Sequence, residues 1–92
     1  MNLKYIVLAK DVKLPSGDRV TYYYAVLFNE NMTHASVAEA LEANFGKPVG
    51  AGFWDYRRRE CYGESISLNI KSRGTRDSQI VGSSIMFCVE HH

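Results

Sequence analysis

Between Leu3 and Lys10, apolar side chains occupy both parities of an extended chain: Leu3, Tyr5 and Val7 on one, Ile6 and Leu8 on the other. Successive side chains of a strand point to opposite faces of its sheet. A segment that is apolar on both parities therefore belongs in the middle of a sheet, with both faces covered. Arg19 to Phe28 repeats the pattern. Val20, Tyr22, Tyr24, Val26 and Phe28 share one parity; Thr21, Tyr23, Ala25 and Leu27 share the other. Leu14-Pro15-Ser16-Gly17-Asp18 joins the two segments. Pro presets φ and Gly tolerates positive φ, so this short connection predicts a β-hairpin.

Ser36-Val37-Ala38-Glu39 has the form of a capping box, with Thr33 or Ser36 as the cap. Val37, Ala38, Leu41 and Phe45 then lie close to one helical face, Gly46 ends the helix, and Pro48 prevents its resumption. Val49 to Arg57 reads as a third strand. Tyr62 to Lys71 alternates Ile66, Leu68 and Ile70 with Ser65, Ser67, Asn69 and Lys71, which predicts a fourth. Ser78 to Val89 fits either a helix with a Val81–Ile85–Cys88 stripe or a strand with Val81, Ile85, Phe87 and Val89 on one face. Gly82 and the β-branched content favour the strand.

The expected order is β-β-α-β-β-β: a single α+β domain over residues 1–90, with a mainly antiparallel sheet and one helix packed on one face. A hairpin turning between Gly74 and Thr75 would set Cys61 opposite Cys88, as two free thiols side by side. Residues 91–92, with Glu90, read as a tag remnant, and their histidines are set aside from any metal argument.

At 92 residues, 46% hydrophobic and 12% aromatic, the chain suits one packed domain rather than disorder. The apolar run Tyr5 to Ala9 is too short for a signal-peptide core or a membrane span, and two cysteines do not make a secreted disulfide framework. A cytoplasmic protein without membrane contact is expected. The net charge of +1 excludes a global field that would draw the chain to nucleic acid. The charge is uneven, however. Lys47 to Arg76 holds seven basic residues against three acidic, and the rest holds four against seven.

That basic stretch carries the candidate ligand site. Residues 53–59, Phe-Trp-Asp-Tyr-Arg-Arg-Arg, interleave aromatics and cations. Trp54 or Tyr56 could stack on a base or nucleotide while Arg57, Arg58 and Arg59 pair phosphates. Arg73 and Arg76 in the basic loop 71–76 extend the set, although the loop matches neither of the familiar phosphate-binding glycine patterns. The plainer reading makes Trp54 core and the arginines a solvated strand end.

Other chemistry is thinner. Cys61 and His34 form the one Cys–His pair outside the tail, with His34 expected at the surface of the first helical turn. Asp55, Glu60 and Glu64 are flanked by arginines and read as surface ion pairs. No catalytic residue, metal ligand or cofactor is assigned.

A sheet covered on one face would present Tyr23, Ser65, Ser67 and Ser84 on the other, as an interface. The leading expectation is a non-enzymatic binding or accessory protein that forms a homo-oligomer or binds a protein partner through that face. A nucleic-acid or nucleotide-binding module comes second, and a Cys-dependent enzyme third.

Overall fold

The computed structural model describes residues 2–90, with side chains from Leu3 to Ser84. Strands β1 (Asn2–Lys13) and β2 (Arg19–Phe28) are followed by helix α1 (His34–Phe45) and strands β3 (Lys47–Asp55) and β4 (Glu60–Tyr62). A small pair, β5 (Glu64–Ser65) and β6 (Ile70–Lys71), leads into helix α2 (Thr75–Glu90). The four-stranded sheet runs β2-β1-β3-β4, antiparallel at every pairing. β1 is interior, as its two apolar parities require, whereas β2, which repeats the pattern, lies at the edge of the sheet: apolar parities report cover on both faces, which an edge strand can also have.

The predicted hairpin is present. Gly17 N–H bonds the Leu14 carbonyl at 2.9 Å, and Leu14 N–H bonds the Asp18 carbonyl at 2.7 Å. Gly17, with φ 95°, occupies the left-handed position that such a three-residue loop demands. From this closure the pairing continues through Val12↔Val20, Lys10↔Tyr22 and Leu8↔Tyr24.

α1 lies on the sheet face that carries Ile6, Leu8, Phe28 and Ala51, and buries Val37 and Ala38 there. Leu41 and Phe45 pack at the margin of this core, and Phe45 meets Tyr24 edge-on at 5.0 Å. Thr33 is the N-cap; its hydroxyl accepts from Ser36 N–H at 3.1 Å.

The strand expected over Ser78 to Val89 is instead helical, as part of α2. It covers the opposite sheet face, with Val81 fully buried among Tyr5, Val7, Trp54 and Cys61. The single helix on one face thus becomes two helices on opposite faces. Gly82, which argued against a helix, is buried where α2 crosses Trp54: a Cβ there would lie 3.9 Å from the indole and 3.5 Å from Arg59. Both are ordinary van der Waals distances, so space does not demand a glycine; its cost of about 1 kcal/mol in a helix is set against the burial of Val81 beside it. The Cys61–Cys88 pairing falls with the strand, since Cys61 sits on β4 and Cys88 on α2, where its side chain lies outside the described residues.

The strand expected from Tyr62 to Lys71 is also broken. Gly63 and Asn69 adopt positive φ, at 78° and 56°, and residues 66–69 form a turn between β5 and β6. Ile66, expected to be inward, is 90% exposed at that turn, whereas Leu68 and Ile70 do pack toward the α1-side core. The third strand starts and ends two residues early, leaving Arg57, Arg58 and Arg59 in the following turn.

Part of the sheet remains open. Asp11 to Lys13 and Arg19 to Tyr23, the turn end of the hairpin, are exposed or half-buried at every residue. Tyr22 is 48% exposed and Tyr23 39%. The molecule is a single α+β domain with an antiparallel sheet, two helices packed on it, and an open stretch of sheet bearing aromatic residues.

Candidate functional site

The most elaborate polar cluster lies at the start of α2. Asp77, fully buried, accepts from Tyr5 Oη at 2.6 Å, from Arg73 Nε at 2.7 Å and from Arg73 N–H at 2.9 Å. Its place in the first helical turn also sets the carboxylate at the favourable end of the helix dipole. Gly50 makes room: a Cβ there would overlap the Asp77 carboxylate. Burial, then the bond to Asp77, pushes the Tyr5 phenol well above its usual range. None of Asp77, Tyr5 and Gly50 stood among the candidate residues. Asp77 lies three residues after Gly74, a helix-start signal that goes unseen when the segment is taken for a strand.

The expected ligand residues separate. Trp54 is 1% exposed, with the Arg59 guanidinium 6.0 Å from its ring centroid, and Arg59 Nη2 donates to the Gly82 carbonyl at 3.3 Å. Trp54 is therefore core and presents no free face for stacking. Tyr56 is exposed beside Arg57 and Arg58, whose backbone N–H groups bond Asp55 Oδ1 at 3.0 and 3.1 Å and hold the turn. Arg58 and Arg59 reach a cleft of about 520 Å³ shared with Cys61, Gly74, Thr75 and Ser78. Arg73 and Arg76 lie elsewhere: both guanidiniums stand over the Tyr23 ring, at 5.8 and 5.9 Å, and Arg76 Nη2 donates to Tyr23 Oη at 3.2 Å.

Cys61 and His34 do not meet. His34 packs on the α1 face against Phe28 and Phe53, while Cys61 sits in the core under α2. His34, expected at the surface, is buried, and its Nε2 lies 2.9 Å from the Gly52 carbonyl. A carbonyl only accepts, so Nε2 carries the proton. Burial lowers the imidazole pKa below its usual 6.5 and keeps the ring neutral. The unfolded chain takes up a proton near pH 6.5 and the folded chain does so only at lower pH, so this contribution is complete above 6.5 and declines below it. Urea melts between pH 7.5 and 5 should show a loss that H34Q lacks.

Burial, with the Asp77 charge adding to it, pushes the Cys61 thiol up to about 11 from its ordinary 9.0. A raised acid stabilises the fold below its unfolded pKa, and that stability is lost as pH rises from 9 toward 11. Tyr5 adds a loss of the same sign above pH 10. Peptide mapping after iodoacetamide treatment at pH 8 should find Cys61 unmodified in the native protein and alkylated in urea. Among the described residues no cluster of His, Cys, Asp and Glu could hold a metal ion, and no helix is long and apolar enough to cross a membrane.

Of the four expected interface residues, Tyr23 and Ser84 line one cleft, between β2 and α2, with Thr21, Gln79, Ile80 and Ser83. The other two hold local structure. Ser65 is buried and accepts from Leu68 N–H at 3.2 Å; Ser67 Oγ accepts from Ala35 N–H at 3.1 Å, at the start of α1.

The two sheet edges differ. β4 is three residues long, and its outward N–H, at Cys61, bonds Ser78 Oγ of α2 at 2.8 Å. β2 is ten residues long. The hairpin closure makes the even-numbered residues of β2 exchange hydrogen bonds with β1, so the backbone groups of Arg19, Thr21, Tyr23, Ala25 and Leu27 point away from the sheet. Among the described residues none bonds that outward row. Comparison with family models, with curated proteins and with solved structures finds no match to this chain.

Proposed function

We propose that this domain is a binding module whose sheet is extended at β2 by a strand of another polypeptide. The observation that carries the reading is the contrast between the two edges. Natural sheets blunt their edges with short strands, prolines, bulges, charges or a covering element. β4 is short and capped by Ser78. Val20 to Phe28 contains no proline, no bulge and no charged residue. In strand addition, backbone hydrogen bonds supply affinity and alternating side chains supply specificity. Tyr22 and Tyr24 would read one face of the incoming strand, and Tyr23, held by Arg73 and Arg76, the other.

This reading assigns no catalytic step. It matches the chemistry of the buried groups, which keeps the Cys61 thiol protonated near neutrality and the His34 ring on a backbone carbonyl.

The test is selection of peptide ligands from a displayed library, repeated on Thr21→Pro. Thr21 N–H faces outward, so proline removes a backbone bond to the partner and no backbone bond to β1, although it also gives up the bond that the Thr21 hydroxyl donates to Asp11 Oδ1 at 2.7 Å. Selected peptides should be extended, rich in β-branched and aromatic residues, and lose binding to T21P and on methylation of alternate amides. Ligands indifferent to both changes would overturn the reading.

A further inference from the structure

We infer that the strand added at β2 is β2 of a second copy of this chain, paired antiparallel about Tyr23 so that two four-stranded sheets become one. The inference rests on the reading of β2 as a docking edge and names its occupant.

Two independent constraints meet at Tyr23. The first is backbone parity. Antiparallel strands exchange both hydrogen bonds only between residues whose N–H and C=O point at each other. Around a two-fold axis a residue that opposes itself with hydrogen bonds must belong to the outward row, and Tyr23 is the middle member of that row. The second is the sequence. Val20-Thr21-Tyr22-Tyr23-Tyr24-Ala25-Val26 reads nearly the same in both directions about Tyr23.

Self-pairing on that centre sets Val20 against Val26 of the second copy, Thr21 against Ala25, and Tyr22 against Tyr24. The Tyr22–Tyr24 contacts fall at non-hydrogen-bonded positions, where opposed side chains come closest and aromatic pairs stabilise most. At the end of the ladder Arg19 meets Leu27, so no like charges oppose each other within the ladder; the like charges nearest the axis are Arg73 and Arg76, which stand over the Tyr23 ring of each copy. Sliding the register by two residues, onto Tyr24, sets Tyr22 against Val26 and Val20 against Phe28, and the two Tyr22–Tyr24 pairs are replaced by a single Tyr24–Tyr24 pair on the axis. A strand of unrelated sequence has no reason to share this centre; a second copy has it automatically.

Beside Tyr23, the cleft toward α2 is lined by Gln79, Ile80, Ser83 and Ser84, small or polar side chains that let two α2 helices approach on the same side of the joined sheet. The other aromatic of the pair, Tyr24, is already steadied by Phe45 at 5.0 Å, so its ring is ordered before a partner arrives.

Sedimentation equilibrium of the full chain from about 1 μM to about 1 mM, the affinity range of modest complexes, should show the 10.4 kDa monomer giving way to twice that mass. Thr21→Pro removes a hydrogen-bonding group on both sides of the axis and should raise the dimer Kd by at least about tenfold. Y22K, at a half-exposed position, does the same through the side chain should the proline variant not fold. Register is read by cross-linking in a C88S background. Cα atoms of a hydrogen-bonded pair lie about 5.5 Å apart, within disulfide reach. Y23C should therefore form a covalent dimer on mild oxidation, and Y22C, out of register with itself, should not.

A monomeric mass throughout, with T21P-sensitive peptide ligands still found, overturns the second copy and leaves the edge reading standing. A dimer indifferent to T21P and Y22K overturns the second copy at β2, and selected peptides that are also indifferent to T21P overturn the edge reading with it. A dimer that cross-links through Y22C and not Y23C overturns the register.

Discussion

Asp77→Ala is expected to lower the unfolding free energy by about 3 kcal/mol, the lower end of the range for breaking a buried ion pair. The carboxylate is fully buried and takes three hydrogen bonds, from Tyr5 Oη, Arg73 N–H and Arg73 Nε. Removing it leaves the phenol without an acceptor and the guanidinium without its counter-charge. Arg73 Nη2 already lacks a partner among the described residues. The Arg73 side chain keeps 22% exposure, so water relieves part of the loss, which is why the lower end applies. Small domains hold about 5–15 kcal/mol in total, so the variant should melt far below the parent. Asp77→Asn, which keeps the shape and drops the charge, should fall between. Urea denaturation followed by circular dichroism measures all three, and a D77A curve superimposing on the parent would remove the cluster from the stability of the fold.

Gly50→Ala should do comparable damage from the other side of the same contact, by about 3 kcal/mol, the upper end for overpacking. The added methyl overlaps the Asp77 carboxylate, and Gly50 is held in place by its pairing with Val7 in the sheet interior. Neither the strand nor the first turn of α2 can retreat without breaking the bonds to Tyr5 and Arg73. The double variant G50A/D77A should therefore cost less than the two single losses added together, because the methyl then occupies space the carboxylate has left. Additive losses would mean that the methyl strains the sheet and not the carboxylate.

The legible parts of the fold were those set by local chemistry. β1, β2, their five-residue connection and α1 between Thr33 and Gly46 follow from alternation, turn residues and caps, and all are present. α2 was hidden because Gly82, Ile80 and Val81 carry poor helix propensity and the gain lies in contacts distant in sequence, with Trp54 and Arg59. A sign of it was nonetheless visible. A central strand apolar on both parities needs cover on both faces, and one helix supplies only one. The break after Tyr62 had a similar origin: Gly63 and Asn69 punctuate the alternation with residues that tolerate positive φ, and the Ile66–Leu68–Ile70 rhythm outweighed them.

At the candidate site, Tyr23 and Ser84 could be named from composition alone and share a cleft. Trp54 could not be distinguished from a stacking platform without knowing what lay above it, which is Arg59. The Asp77 cluster was invisible in principle to local reading, because its partners come from three separated segments of the chain.

The bond between Tyr5 and Asp77 joins residues 72 positions apart. On a ribosome adding about 5–20 residues per second, Tyr5 waits several seconds before Asp77 exists at all. During that interval the hairpin and α1 can already assemble on the Ile6–Leu8 side, since their contacts lie closer along the chain. The Tyr5–Val7 side cannot, and an unfinished chain carries a sheet bare on one face and open along β2. Cover for the Tyr5–Val7 face of the sheet therefore comes from α2, the element made after every strand that it packs on.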